Sequence, residues 1–404
     1  MFEKNVNIYD VKEIRTRTTV YFGVGAIDKM VDIAKVLKSK GVDKVIVMSG
    51  RRAYKLTGAW DHVEKALKDA GIGYINYDKV TPNPTTHHVN EAAQMAREFG
   101  AKAVIAIGGG SPTDAGKSVA ILLEYPDKTA NDIYEFTFTP EKAAPIVSIN
   151  LTHGTGTETN RFAVVSVPEK NFKPAIAYDC IYPMFAIDDP QLMVRLSPNQ
   201  TRYVSIDAVN HVIEAATSKV LSPYTITLAR DVIRLVHKYL PMALQNPEDL
   251  EARYYLAYAA MIAGVCFDNG MLHYTHALEH PLSGVKPELA HGLGLSMLLP
   301  SVINVIYKDR AHILADILAP INPGLAGEAS DFEAYVAAKS VQGWLVSVGV
   351  PQKLTDEGFT EADVDELTDL VYNTPSLSGL LDIAPSGNGR EIVETIYRTS
   401  LQPL

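Results

Sequence analysis

Cysteine is nearly absent from this 404-residue chain: there are two, Cys180 and Cys266, in apolar surroundings and without a Cys-x-x-Cys spacing. That excludes a disulfide framework or a zinc knuckle and leaves buried free thiols, the usage expected of a reducing compartment. Basic residues are outnumbered, 37 Lys and Arg against 47 Asp and Glu, for a net charge of −10. Neutralising phosphates in a nucleic acid or an anionic membrane takes clustered Lys and Arg, so neither partner is expected, although a small anionic ligand is not excluded by net charge. Long apolar runs are missing too. The longest, from Ala257 to Phe267, falls well short of the about 20 residues a membrane span needs. The first residues, MFEKNVNIYDVKEIRTRT, contain no apolar core of a signal peptide, so a cytoplasmic protein is the expectation.

What is present is an ordinary globular mixture, 47% hydrophobic and 21% charged. A single core stops growing at about 250–300 residues, so two domains are expected. The first half alternates short apolar runs with helical patterns. Lys44–Ser49, Ile72–Tyr77 and Ala103–Ile107 read as strands, with helices at Ala59–Ala70 and Val89–Phe99 and Gly100 in the C-terminal capping place of the latter. Continuous apolar runs at this spacing suit a buried parallel sheet built from βαβ units. Ile146–Asn150 and Ala163–Val167 read as further strands. After Asp189 and Pro190 long helical patterns take over, at Ser197–Ser218, Tyr224–Leu240, Asp249–Phe267, Leu293–Tyr307 and Asp331–Val348. The expected fold class is therefore α/β plus all-α: residues 1–190 a parallel-sheet domain, residues 191–404 a helical one, with the active site in the cleft between them.

Two constellations carry chemistry. Gly108, Gly109, Gly110 and Ser111 follow the Ala103–Ile107 run directly, with Pro112 suited to a first helical turn. Glycines let backbone amides approach an anion, and the free N–H groups of a helix start attract phosphate. The plain alternative is a tight turn without a ligand. The dinucleotide fingerprint G-x-G-x-x-G fails, because position 113 is Thr, and Gly116, Lys117 and Ser118 make only a near miss of the phosphate-binding P-loop, because Ser111 stands where the first glycine belongs. Farther on, Asp207 and His211 are spaced i, i+4 and share a helix face, while His273, His276, His280 and His291 gather in one segment. Several imidazoles with a carboxylate suit a first-row divalent metal. Spacing alone does not sort ligands from bystanders, and a pH-sensitive packing cluster would show the same pattern.

These motifs, taken in order over nearly the whole chain, resemble the iron-containing alcohol dehydrogenase family. The glycine motif is joined by Asp114 and Lys117; the family's T-x-G-T-G-S-E stretch stands as Thr152 to Glu158, with His153 and Thr157 in place of the usual Ala and Ser; Asp189 to Leu192 match D-P-x-L; Asp207, His211 and Glu214 match D-A-x-x-H-x-x-E; and His276, His280 and Leu282, then His291 and Gly292, match the last element. The resemblance implies a Rossmann-like N-terminal domain and a helical C-terminal domain, the dehydroquinate synthase-like architecture. It implies metal ligands Asp207, His211, His276 and His291, holding iron(II), with zinc(II) the other ion the set would take. It implies a catalytic role for His280 beside the nicotinamide. Cofactor contacts are implied at Gly108, Gly109, Gly110, Ser111, Asp114, Thr152, Thr155 and Thr157, with Lys173 near the nicotinamide ribose. Phe267 and Asn269 fall in the family's substrate-lining segment, Phe267 being equally well placed for plain core. A homodimer is implied as well.

The nicotinamide is expected to be NADP rather than NAD. NAD-preferring sites place an acidic residue after the second strand, where it bonds the ribose 2′-hydroxyl. Here Lys44–Ser49 ends in Gly50, Arg51 and Arg52, and guanidinium groups suit a 2′-phosphate. The expected reaction is reversible hydride transfer between a small primary alcohol or aldehyde and NADP(H). The rivals are a non-redox, dehydroquinate synthase-like lyase that uses nicotinamide and metal, and a zinc enzyme resembling glycerol dehydrogenase.

Overall fold

The computed structural model describes residues 12–404; most of the N-terminal stretch read above for a leader, residues 1–11, lies outside the described residues. The chain forms two compact units. One comprises Thr16–Leu196 with Pro247–Met261, the other Ser197–Asn246 and Ile262–Leu404 with residues 12–15. A single cut at residue 190 therefore understates how often the chain passes from one unit to the other.

The first unit is built on a six-stranded parallel sheet. Its strands are β1 (Thr19–Phe22), β2 (Lys44–Ser49), β3 (Gly73–Tyr77), β4 (Ala103–Gly108), β5 (Ile146–Asn150) and β8 (Phe185–Asp188), ordered β1-β8-β5-β4-β2-β3. The helices between them are α1 (Met30–Ser39), α2 (Ala53–Leu56), α3 (Ala59–Asp69), α4 (Thr86–Phe99), α5 (Gly110–Glu124) and α6 (Ala130–Tyr134). Both faces of the sheet are covered, which is why its central strands read as unbroken apolar runs. Alternation still decides the side. Val45 and Val47 of β2 pack with Ile33, Leu37, Val63 and Leu67 of α1 and α3, whereas Ile46 and Met48 join Val89, Ala93, Val119 and Leu122 of α4 and α5.

Local chemistry sets the boundaries. α4 begins three residues earlier than its apolar pattern indicates, because the Thr85 side chain caps it through the His88 amide; it ends as expected at Gly100, in left-handed backbone (φ 80°). The run Ala163–Val167 is not a further strand of the parallel sheet: only β6 (Phe162–Val164) forms, and it pairs antiparallel with β7 (Ala175–Ala177) as a separate ribbon.

The second unit is helical: α7 (Pro198–Thr217), α8 (Pro223–Gln245), the last part of α9 (Leu250–Gly270), α10 (Tyr274–Val285), α11 (His291–Ile317), α12 (Asp331–Ser347), α13 (Val364–Asn373), α14 (Leu377–Asp382) and α15 (Arg390–Ser400). The long α11 is its spine and packs against α7, α10, α12 and α15. It lies so close to α10 that a β-carbon on Gly294 would stand 2.7 Å from Glu279, and Gly292 meets the Tyr203 backbone of α7 with no room for any side chain. Among the described residues no single helix is long and apolar enough to cross a membrane.

Candidate functional site

The glycine turn sits where β4 passes into α5. The tightness is steric: a β-carbon at Gly109 would come within 2.8 Å of the Thr152 side chain, and one at Gly110 within 2.8 Å of Thr155. The turn and the Thr152–Glu158 loop are thus pressed together at the start of a 15-residue helix, whose first amides point out of the turn. Gly108, Gly109, Gly110, Ser111, Thr152 and Thr155 are brought to one place.

Asp114, Thr157 and Lys117 are close by but occupied with one another. The Thr157 hydroxyl donates to Asp114 Oδ1 at 2.7 Å, and Asp114 Oδ2 accepts from the Val164 amide at 3.0 Å. The Lys117 ammonium, fully buried, donates to the carbonyls of Thr157, Asn160 and Phe162 at 2.6 to 2.9 Å. Lys117 is therefore an internal clamp and not the phosphate-reaching lysine of a P-loop. Desolvation pushes Asp114 up to about 6 against the pull of Lys117 and, more weakly, Lys173, which is itself buried here. Beyond β2, Gly50 leads into Arg51 and Arg52, both exposed and without an ion-pair partner among the described residues.

Behind this network lies a carboxyl that the motif reading did not single out. Glu158 is 1% exposed, and neither of its oxygens has a hydrogen-bond partner among the described residues. Desolvation, then the charge of Asp188, raises its pKa well above 4.5; desolvation raises Asp188 to about 7. An acid held neutral in the fold contributes stability that is complete below its unfolded pKa and is lost as the pH climbs toward its raised one. Glu158→Gln should therefore stabilise the protein increasingly from pH 4 to pH 8, because the amide has no proton to lose in the buried site. Urea midpoints at pH 4, 6 and 8 measure this; a pH-independent difference would contradict it.

In the helical unit, Asp207 and His211 come from one face of α7, His276 from α10 and His291 from the first residue of α11. Asp207 Oδ1 is the common vertex. It lies 3.4 Å from His211 Nε2, 3.5 Å from His276 Nε2 and 4.0 Å from His291 Nε2. The ligating atoms of Asp207, His276 and His291 all fall within 4.8 Å of one another, and the His211 ring stacks on that of His276 at 4.7 Å. Asp207 Oδ1 and His276 Nε2 are buried yet have no hydrogen bond among the described residues. Orphaned polar atoms that converge in this way are the signature of a cation site, because burying them otherwise costs about 1–3 kcal/mol each. The electrostatics agree. Desolvation should raise Asp207, but the imidazoles of His211, His276 and His291 lower it to about 2.

Two carboxylates complete the centre from behind. Glu214 faces His276 Nδ1 and Glu279 faces His291 Nδ1, both fully buried. Glu279 escaped the motif reading because its partner lies on another helix. Glu214 lies seven residues beyond Asp207 on α7, a spacing that returns to the same face and could have marked it. His280, one turn after His276, is 3% exposed with its ring 5.7 Å from that of His291. His273 is fully buried. It caps α10, accepting from the Tyr274 amide at 2.8 Å and meeting the Thr217 hydroxyl at 2.9 Å, and burial lowers it to about 4. Phe267 stacks on His211 at 4.5 Å. The Asn269 amide is spent on the backbone of Arg15 and Val265. His153 turns inward and accepts from Arg253 at 2.8 Å; burial and that guanidinium lower it to about 3, so it is a neutral acceptor. Of the cysteines, Cys266 is buried and Cys180 half-buried, both as free thiols.

Comparison with known proteins covers both units. The family model for iron-containing alcohol dehydrogenase matches residues 17–190, and that for the C-terminal region of the Fe-containing alcohol dehydrogenase family matches residues 201–400. The long-chain primary alcohol dehydrogenase AdhA of Thermoanaerobacter ethanolicus is 56% identical over 99% of this chain and 100% of its own. The NADPH-dependent butanol dehydrogenase of Clostridium saccharobutylicum is 31% identical over 87% of this chain and 88% of its own. Among solved structures, the NADH-dependent butanol dehydrogenase A of Thermotoga maritima superposes with a TM-score of 0.87 at 29% identity, over 97% of this chain and 99% of that one.

Proposed function

The chain belongs to the iron-containing alcohol dehydrogenase family, and from that premise we propose that it interconverts primary alcohols, long-chain ones included, and their aldehydes with NADP(H), holding iron(II) at Asp207, His211, His276 and His291. The observation that carries the metal assignment is Asp207 Oδ1: buried, ionised, faced by three imidazoles and without a hydrogen bond among the described residues. Three nitrogens and one carboxylate oxygen suit a first-row divalent ion. When bound, iron supplies Lewis acidity toward the alcohol or carbonyl oxygen, and the nicotinamide supplies the hydride chemistry. The chain's own groups bind and orient. The glycine turn and the start of α5 receive the pyrophosphate, and Thr152 and Thr155 flank it. Asp114, Thr157 and Lys117 keep that loop in shape from within. The His280 imidazole carries the proton between substrate oxygen and solvent. Arg51 and Arg52, exposed and unpaired at the end of β2, favour the 2′-phosphate of NADP. The two free thiols fit a reducing compartment, the cytoplasm.

The test is reduction of aldehydes of increasing chain length with NADPH and NADH by protein of known iron content. Activity should follow iron, disappear on chelation and return with added iron(II). Full activity in verified metal-free protein would overturn the metal reading, and equal kcat/KM with the two coenzymes would overturn the NADP assignment. For His280, the His280→Ala variant should retain its iron and lose more than about tenfold in kcat, the span of a general acid–base contribution; an undiminished kcat removes it from the proton path.

A further inference from the structure

Glu214 lies on α7 one turn beyond His211 and is fully buried. Its two oxygens have different surroundings. Oε1 accepts three backbone N–H groups from the start of α10: His273 at 3.1 Å, Thr275 at 2.7 Å and His276 at 3.3 Å. Oε2 faces Nδ1 of His276. On the opposite side of the same ring, Nε2 is buried with no hydrogen-bond partner among the described residues and lies 3.5 Å from Asp207 Oδ1.

We infer that Glu214 is the positioning residue of the metal centre, which fixes His276 as the Nδ1–H tautomer so that the bare Nε2 is presented to the ion. The inference rests on the metal reading above and deepens it. The chemistry follows from counting donors. Three N–H groups converging on Oε1 leave no place for a proton there and favour the charged carboxylate over the neutral acid. An anion at Oε2 must in turn be met by a donor, and Nδ1–H is the donor it faces. The imidazole has one proton when neutral, so Nε2 is left as a lone pair. The same three amides belong to the first turn of α10, whose orphan N–H groups need an acceptor in any case. One carboxylate therefore caps the start of the helix and sets the tautomer of a residue on it, and the His276 ring cannot rotate without losing its Oε2 partner. A carboxylate behind a ligating imidazole also makes the ring more basic and pins its plane.

Glutamine at this position separates the tautomer role from mere packing, because it keeps size and shape. In Glu214→Gln the amide oxygen must take the Oε1 place, since only an acceptor satisfies the three amides. The NH₂ group then faces His276 Nδ1 and donates to it. His276 is driven to the Nε2–H tautomer, with a proton where the ion belongs. We expect metal-stripped Glu214→Gln to fold, with α10 capped, and to bind cobalt(II), used as a spectroscopic probe, about 10–100-fold more weakly than the wild-type chain, the usual loss for such a partner. Competition with a chromophoric chelator reads the affinity, and the cobalt d–d spectrum reads the ligand set. Unchanged affinity and spectrum in Glu214→Gln would overturn the inference. If the wild-type chain itself took up no cobalt, or if Asp207→Asn bound it equally well, the metal reading would fail instead. Should the glutamine variant not fold, ¹⁵N spectra of ring-labelled wild-type protein loaded with zinc decide the matter: His276 should show a protonated Nδ1, and an unprotonated Nδ1 overturns the inference.

Discussion

Asp207→Asn will lose its iron and at least about 10³-fold in kcat/KM for a primary alcohol with NADP⁺. The size follows from what the oxygen does. Asp207 Oδ1 is the vertex on which His211, His276 and His291 converge at 3.4, 3.5 and 4.0 Å, and the carboxyl is held near 2, ionised at any working pH. Asparagine keeps the shape and discards the charge, leaving a neutral carbonyl or an N–H donor against imidazole lone pairs. Lewis acidity contributes several kcal/mol to a transition state, and ~4 kcal/mol corresponds to about 10³ in rate. The fold should tolerate the change, because Oδ1 makes no hydrogen bond among the described residues. Elemental analysis and steady-state kinetics on the same preparation provide the check, with cooperative thermal unfolding as the control. Normal activity at normal iron content would place the ion elsewhere.

The second large effect concerns the coenzyme. Replacing Arg51 and Arg52 together by alanine should raise the KM for NADPH about 10²-fold and leave NADH within about threefold. A hydrogen bond to a charged group contributes roughly 1.5–3 kcal/mol, and two guanidiniums on a 2′-phosphate at the low end of that range give ~3 kcal/mol, or about 10². The low end applies because both side chains are exposed and screened. NADH has no 2′-phosphate and loses nothing. The preference for NADPH proposed above should weaken in the wild-type chain as salt rises, and no such salt dependence should appear in the double variant. Kinetics with both coenzymes at two ionic strengths measures all of this; equal losses with NADH and NADPH would show that the arginines act on the fold of the loop and not on the phosphate.

Much of this protein was legible in one dimension wherever the deciding interaction is local. β2, β4 and β5 announce themselves as unbroken apolar runs because a parallel strand covered on both faces can expose no polar side chain. Gly100 marks the end of α4 because the left-handed conformation is open to glycine, and Asp207 with His211 is visible as a pair because four residues make one helical turn. The edge strand β1 and the short β8 were not legible, since four residues of mixed character carry too little pattern.

The metal centre divides along the same line. The sequence supplied the ligand types and one helical pair, and a family resemblance sorted the remaining histidines. The physical reason for the sorting lies in the packing of three helices. His273 and His276 stand three residues apart, yet His273 is consumed in capping α10 while the His276 ring faces Asp207. His291 reaches the same point only because Gly292 and Gly294 let α11 press against α7 and α10, which also sets Glu279 behind it. Residues within a turn of each other are related by the chain; residues that meet across helices are related by the volumes packed between them, and no spacing records those.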